Sequence, residues 1–381
     1  MNRKNYLKEI DRVVIKVGTR VLTGADNLID PGRIERLAAE VVALCQRRTT
    51  VILVSSGAVG AGMGRLGLAQ YPKLIPDRQA VAAVGQVGLM KMWQQAFSGH
   101  GFRVGQVLLT AEDFQNRRRY VNLQNTFESL FRLGVVPVVN ENDSVAVREL
   151  RYGDNDTLSS QVATVVDAGM LVILTDIDGF YTGKPGRDDG AERLSIVERV
   201  SPEMVRSTRG KGSEVSIGGM RTKLEAARLA TAAGRFCVIA SGLVHSLEGI
   251  MDGEDLGTLF LPLAEGMKRR KQWIAFSGRS RGKVLVDEGA RRALLERGVS
   301  LLASGIRETI GDFDSGDIVD IATSGQDEPF ARGVTSYSAE DLGRIKGLHS
   351  SRIEQVLGHR GSEEVIHKDN LALVEKIVSR D

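Results

Sequence analysis

Between Val135 and Ala163 the chain reads VVPVVNENDSVAVRELRYGDNDTLSSQVA, with two knots of carboxylates and amides, Asn140-Glu141-Asn142-Asp143 and Asp154-Asn155-Asp156. The first follows a run of buried-strand type (Val135, Val136, Val138, Val139). The second leads into Thr157-Leu158-Ser159-Ser160, where helix-type spacing begins. Polar groups gathered where a buried strand ends and a helix begins can hold a small polar ligand, because ligands of open α/β sheets bind beyond the carboxyl ends of the strands. A merely solubilising strand-to-loop turn does not explain two such clusters.

Four other segments carry residues that could do chemistry. Lys16 lies inside the apolar run Val13–Val17. A strand lysine there is costly unless its amine meets an anion at the strand end, the alternative being an edge lysine that snorkels to water. Ser55-Ser56-Gly57-Ala58-Val59-Gly60-Ala61-Gly62-Met63-Gly64 follows the run Val51–Val54, and its small residues let backbone N–H groups approach an anion at a helix start. It contains GxGxxG at Gly62, Gly64 and Gly67, but where a dinucleotide fold needs an acidic-ended second strand the chain reads Tyr71-Pro72-Lys73-Leu74-Ile75-Pro76. No GxxxxGK[ST] loop exists either. In Thr175-Asp176-Ile177-Asp178-Gly179, Asp176 can accept hydrogen bonds from a ribose or an adenine, though a plain surface turn also fits. In Ser216-Ile217-Gly218-Gly219-Met220-Arg221-Thr222-Lys223 a glycine pair opens a helix with Lys223 in its first turn. The helix dipole opposes a cation there, so the placement favours contact with phosphate.

These loops need a frame. Candidate strands are Val13–Val17, Val51–Val54, Val104–Leu109, Val135–Val139, Leu171–Thr175 and Phe236–Ala240. Helical patterns span Pro31–Gln46, Ala80–Phe97, Arg117–Leu133, Leu158–Ala168 and Met220–Ala233. Apolar strands alternating with helix-length segments predict an α/β fold with a mostly parallel sheet covered on both faces. Asp30 before Pro31 is a suitable N-cap. The rhythm changes near residue 265: a charge run, Met267-Lys268-Arg269-Arg270-Lys271, precedes a linker-like Gly278-Arg279-Ser280-Arg281-Gly282. From Lys283 the pattern is short strands, tight turns and one helix, Glu288–Arg297, with a dense turn at Gly311–Asp317; Gly361–Asp381 reads as a tail.

At 381 residues two domains are the natural expectation, and a net charge of +3 demands neither nucleic acid nor an anionic membrane. Cys45 and Cys237 sit in apolar surroundings and read as packed thiols of a reducing, cytoplasmic setting. Without CxxC or Cys/His clusters, no protein-built metal site is expected. No apolar run reaches membrane-spanning length, and the N-terminus lacks a signal peptide's hydrophobic segment.

Taken in order, VIKVGTRVLT, SSGAVGAG, AVGQVGLM (around Val84 to Met90), PVVNENDSV, GDNDTLSS, TDIDGFYTGKP and GGMRTK resemble the amino-acid kinase superfamily over nearly all of residues 10–260. NEND followed by GDND resembles its glutamate 5-kinase branch, and Lys283 to about His359 resembles a PUA domain. Arg20 is a departure, since the family more often has a small residue after KVGT. The resemblance implies a three-layer sandwich at residues 1–266, a small β-rich PUA domain at 283–360 and a tail at 361–381.

It also implies transfer of the γ-phosphoryl of ATP, with Mg²⁺, to the side-chain carboxylate of L-glutamate, the first step of proline biosynthesis. Lys16 and Lys223 would neutralise the transferring phosphoryl and Asp156 would orient them; Ser56, Asp143 and Asn155 would hold glutamate. Lys16, Thr175, Asp176, Ile217, Gly218, Gly219, Met220, Arg221, Thr222 and Lys223 would hold ATP. Proline as feedback inhibitor, a homo-oligomer and glutamate-5-semialdehyde dehydrogenase as partner follow from the same resemblance. The polar loop Ser144–Gly153, with Arg148, Glu149 and Arg151, would close over the ligands. Other readings are an acetylglutamate or aspartate kinase, against which NEND/GDND argues, and a nucleotide-sensing regulator without activity, which would require the loss of a lysine or of Asp156. RNA binding by the PUA-like part is a third. Lys268–Lys271, Arg279, Arg281 and Lys283 offer charge for it, but Asp312, Asp314, Asp317 and Asp320 make the adjoining loop acidic.

Overall fold

The computed structural model describes residues 3–24, 26, 28–145, 155–183, 188, 190–207, 219–263, 269–276, 280–325, 328–359 and 361–374. The chain forms two compact units, Met1–Gly266 and Met267–Asp381.

The first unit is built on eight strands: β1 (Arg12–Val17), β2 (Thr50–Ser55), β3 (Arg103–Leu109), β4 (Val135–Glu141), β5 (Met170–Thr175), β6 (Ile196–Val197), β7 (Phe236–Ser241) and β8 (Thr258–Phe260). They lie in the order β3-β4-β2-β1-β5-β7-β8-β6. Every pairing from β3 to β7 is parallel, so six strands end along one edge of the sheet. Among the described strands of this unit, β8 alone pairs antiparallel to its neighbour β7, and β6 pairs parallel to β8. The mostly parallel sheet is as expected. β6 and β8 were not anticipated, because two or three residues carry no readable period.

Strands β1, β2 and β5 are buried along almost their whole length, as a sheet covered on both faces requires. The covering helices are α1 (Arg3–Leu7), α2 (Thr19–Leu22), α3 (Pro31–Gln46), α4 (Ala58–Leu66), α5 (Ile75–Ser98), α6 (Ala111–Gln115), α7 (Arg117–Arg132), α8 (Asn155–Val165), α9 (Pro202–Ser207), α10 (Met220–Ala232) and α11 (Leu247–Met251). Asp30 caps α3 as expected, its carboxylate accepting from the Gly32 N–H. Two starts differ from expectation. Helix α5 begins at Ile75, before the apolar stripe, and α8 begins at Asn155 rather than Leu158. The polar residues Asn155, Asp156 and Thr157 are the first turn of α8, and a polar first turn reads as loop.

Helices α4 and α5 approach at the backbone. A Cβ on Gly85 would lie 1.8 Å from the Ala58 carbonyl oxygen, and one on Gly62 would lie 1.9 Å from that of Val81. Only glycine permits such contact. Among the described residues, no helix is long and apolar enough to cross a membrane.

The second unit carries a five-stranded sheet of β9 (Gly282–Val286), β10 (Ile306–Gly311), β11 (Ile318–Thr323), β12 (Ala331–Val334) and β13 (Leu371–Leu373), in the order β10-β9-β11-β12-β13. The charge run before it, expected to lead into a linker, instead heads α12 (Arg269–Phe276). In α12 Trp273, Ile274 and Ala275 are buried, and the Ala275 carbonyl accepts from Arg332. The expected tail is also corrected: Val365 and Ile366 lie in the core, and β13 pairs with β12. Short apolar pairs between polar residues gave no periodic signal there.

Candidate active site

Lys16 is the penultimate residue of β1, between Val54 of β2 and Ile173 of β5. Its amine lies 2.6 Å from Asp156 Oδ1, with both side chains buried. From the other side, Lys223 Nζ on α10 lies 3.2 Å from Asp156 Oδ2, and Thr222 Oγ1 donates to the same oxygen at 2.8 Å. Asp156 stands in the first turn of α8, where the helix dipole favours a carboxylate. Helix α10 packs against α8, so this one carboxylate draws a strand lysine and a helix lysine to one point. These three groups sum to a positive charge at the carboxyl edge of the sheet, a setting suited to an anion.

One residue earlier on α8 a second network begins. Asn155 Nδ2 donates to Ser56 Oγ (2.9 Å) and to Asn140 Oδ1 (3.0 Å). Asn140, at the end of β4, also accepts from the Glu141 N–H (2.9 Å) and donates through Nδ2 to Gln86 Oε1 on α5 (2.8 Å). Asn155 Oδ1 is buried and has no hydrogen-bond partner among the described residues. A buried acceptor left in that state is costly, and a ligand's donor would suit it. Asp143 is half-buried in the turn after β4, where Ser144 Oγ donates to Asn142 Oδ1. Ser56 follows β2 directly and its N–H donates to the Val17 carbonyl, beside the residue that carries the strand lysine. Gly57 then takes φ +106°, a left-handed conformation that starts α4.

On the β5 side, Thr175 is buried and donates through Oγ1 to Asp176 Oδ1 at 3.0 Å. The Arg20 guanidinium lies 2.7 Å from Asp176 Oδ2. Partial burial works to raise the Asp176 carboxyl, but the hydrogen bonds from Arg20 and Thr175, a backbone hydrogen bond and the Arg20 charge together hold it below the ordinary carboxylate range. Backbone bonds tie three loops here: Gly18 N–H to the Leu174 carbonyl, and Gly242 N–H to that of Thr175. Gly219 is the N-cap of α10, followed by Met220 and Arg221. Arg221 is exposed and pairs with Glu225 at 3.0 Å, so its charge is turned along the helix.

The expected site residues Lys16, Lys223, Asp156, Ser56 and Asn155 therefore come together, and Thr175, Asp176, Gly219, Met220, Arg221 and Thr222 lie on the β5 and α10 ends of the same edge. Ile217, Gly218 and residues 146–154 lie outside the described residues.

The sequence model of the amino acid kinase family matches residues 11–241, and that of the PUA domain matches residues 282–357. The chain is 47% identical over 372 residues to a glutamate 5-kinase of Syntrophotalea carbinolica, covering 97% of this chain and 99% of that one. It is 46% identical over 373 residues to a glutamate 5-kinase of Geobacter sp. (98% and 100% covered). It is 47% identical over 369 residues to one of Moorella thermoacetica (97% of each). The chain belongs to the glutamate 5-kinase family.

As a glutamate 5-kinase family member it is a phosphotransferase with an amino acid kinase fold and a C-terminal PUA domain. The matched span contains both networks around Asn155 and Asp156. Sequence reasoning missed two polar residues of the Asn155 network, Asn140 and Gln86. Asn140 stood in the NEND knot without an assigned part. Gln86 was one polar residue in the glycine-rich AVGQVGLM, and only that oddity could have flagged it. Arg20, noted as a departure, is the ion-pair partner of Asp176.

Proposed function

We propose that this chain transfers the γ-phosphoryl group of ATP to the side-chain carboxylate of L-glutamate, giving L-glutamyl 5-phosphate and ADP, the step that opens proline biosynthesis. One observation carries the reading: Asn155 and Asp156 are consecutive residues, and one belongs to an amide network while the next draws in two buried lysines. A ligand held by the first would present its far end to the second. Phosphoryl transfer asks the protein mainly for positioning and charge neutralisation, and this pair of networks is suited to both.

In this reading Ser56, Asp143 and Asn155 hold glutamate, with the buried Asn155 Oδ1 and the Asp143 carboxylate accepting from its ammonium. The side-chain carboxylate is already ionised near neutral pH and needs no general base. One of its oxygens forms a bond to the γ-phosphorus as the bond to the β,γ-bridging oxygen breaks, and ADP leaves with that electron pair. Lys16 and Lys223 neutralise the charge on the transferring group and the leaving oxygen, and Asp156 orients both amines. Lys16, Thr175, Asp176 and the segment from Ile217 through Gly218, Gly219, Met220, Arg221 and Thr222 to Lys223 bind the nucleotide.

Among the described residues no group of three or more His, Cys, Asp or Glu side chains could hold a metal. Mg²⁺ would enter with the ATP phosphates and supply further charge neutralisation there. Proline competes for the glutamate pocket, because both ligands share an α-amino acid head. The chain works in the cytoplasm as a homo-oligomer and passes its acyl phosphate to glutamate-5-semialdehyde dehydrogenase.

The test is ATP-dependent acyl hydroxamate formation with L-glutamate, L-aspartate and N-acetyl-L-glutamate in parallel. Glutamate alone should give efficient product; equal or better turnover of either other acid would overturn the assignment.

A further inference from the structure

We infer that Gln86 is a positioning residue for the substrate, acting through Asn140 on the amide of Asn155. The inference rests on assigning Ser56 and Asn155 to glutamate. The geometry runs in a single chain of polar contacts. Gln86 Oε1 accepts from Asn140 Nδ2 at 2.8 Å, which leaves Asn140 Oδ1 to receive both the Glu141 N–H and Asn155 Nδ2. With Asn140 turned over, its NH₂ would face those two donors, so the Gln86 oxygen and the Glu141 N–H select one amide orientation.

That orientation passes to Asn155. Its NH₂ spends one proton on Asn140 and the other on Ser56 Oγ, and Oδ1 is left as the buried group without a partner among the described residues. An accepting atom suits an ammonium and repels a carboxylate. Gln86, together with the Glu141 N–H, therefore favours the end of the Asn155 amide that meets the substrate, although Asn140 and Asn155 both stand between it and the ligand.

Helix α5 is built to hold Gln86 in place. The preceding residue, Gly85, abuts the Ala58 carbonyl of α4, at a distance only glycine allows. Seven residues on, and so on the same helical face, the buried Trp93 donates to Ser55 Oγ at 3.0 Å, beside Ser56. Ser55 Oγ in turn donates to the Ser56 carbonyl at 3.0 Å. One face of α5 thus supports the substrate pocket twice, once through β4 and once through β2. This gives the motif AVGQVGLM a part that the phosphoryl-transfer chemistry alone does not.

The experiment compares Gln86→Met, which keeps length but removes the acceptor, with Gln86→Glu, which keeps an accepting oxygen. Michaelis constants for glutamate and ATP are measured on each full-length variant. Gln86→Met should raise the glutamate KM by about tenfold, the ratio expected when a buried amide donor loses its acceptor. Its kcat and ATP KM should stay within about twofold of the parent, since neither depends on this contact. Gln86→Glu should recover most of the lost glutamate affinity. An unchanged glutamate KM in Gln86→Met, a parallel rise in both Michaelis constants, or no recovery in Gln86→Glu overturns the inference. Asn155→Ala in the same assay separates the causes. If it raises the glutamate KM while Gln86→Met does not, the relay alone is wrong; if neither moves it, the substrate assignment falls too.

Discussion

Charge placement decides most of what single residues do here. Lys16 could be read from the sequence because a lysine inside a branched apolar strand needs a reason, and the buried Asp156 carboxylate supplies it. Arg20 could not be read in the same way: its partner Asp176 lies 156 positions away, and no local pattern announces such a pair. The pair keeps a carboxylate on the expected nucleotide side from standing bare toward a polyanion. Arg20→Gln should therefore raise the ATP KM by about two- to fivefold, the scale of a largely exposed ion pair, and leave the glutamate KM alone. An unchanged ATP KM would leave Arg20 without that part. His245 gives a pH signature. Burial lowers its pKa below the ordinary imidazole value; Asp178 works against the shift and Arg193 with it. The folded chain thus binds this proton less readily than the unfolded chain, so stability is full above about pH 6.5 and falls as the pH drops through that value toward the lower folded pKa. His245→Gln should lose less melting temperature between pH 7 and pH 5.5 than the parent; equal losses would remove His245 from the acid response.

At the scale of elements, the parallel arrangement brings the chemistry together. Because β1, β2, β4 and β5 run the same way, the residues that follow them meet along one edge, and α8 and α10 bring their first turns to it. Most of the six strands were legible as apolar runs, which a doubly covered sheet demands; the edge strand β3, with Arg103 and Gln106 exposed, is the weakest of them. The start of α8 was not legible, because the residues that serve the site are the polar first turn that disguises the helix. The glycine contact between α4 and α5 was likewise invisible: SSGAVGAG and AVGQVGLM show small residues, but not that they touch. Gly85→Ala would drive a methyl into the Ala58 carbonyl at 1.8 Å. Overpacking of this kind costs about 1–3 kcal/mol, which lowers the melting temperature of a unit this size by several degrees, on the order of 2–4 °C per kcal/mol. Because the same shift moves Gln86, the glutamate KM should rise as well. A variant as stable as the parent would mean that the helices separate freely.

For the molecule as a whole, the division into two units confines every described residue of the candidate site to Met1–Gly266. A change of rhythm near residue 265 marked that boundary in the sequence. What the rhythm did not reveal is that the second unit begins with α12 and takes in residues 361–373, whose apolar residues are too few and too scattered to signal a strand. Ending the chain after Gly266 should leave a folded unit that still forms glutamyl hydroxamate, since its sheet and core are its own. A soluble, monodisperse truncation without activity would show that the PUA unit takes a direct part in catalysis. The central claim is that the lysines gathered on Asp156 act on the transferring phosphoryl group, and steady-state kinetics of Lys223→Ala test it most directly. Loss of one such electrostatic contact, worth on the order of 3 kcal/mol, should cut kcat by roughly a hundredfold or more. The glutamate KM should change only a few-fold. A folded Lys223→Ala with near-normal kcat would contradict the account.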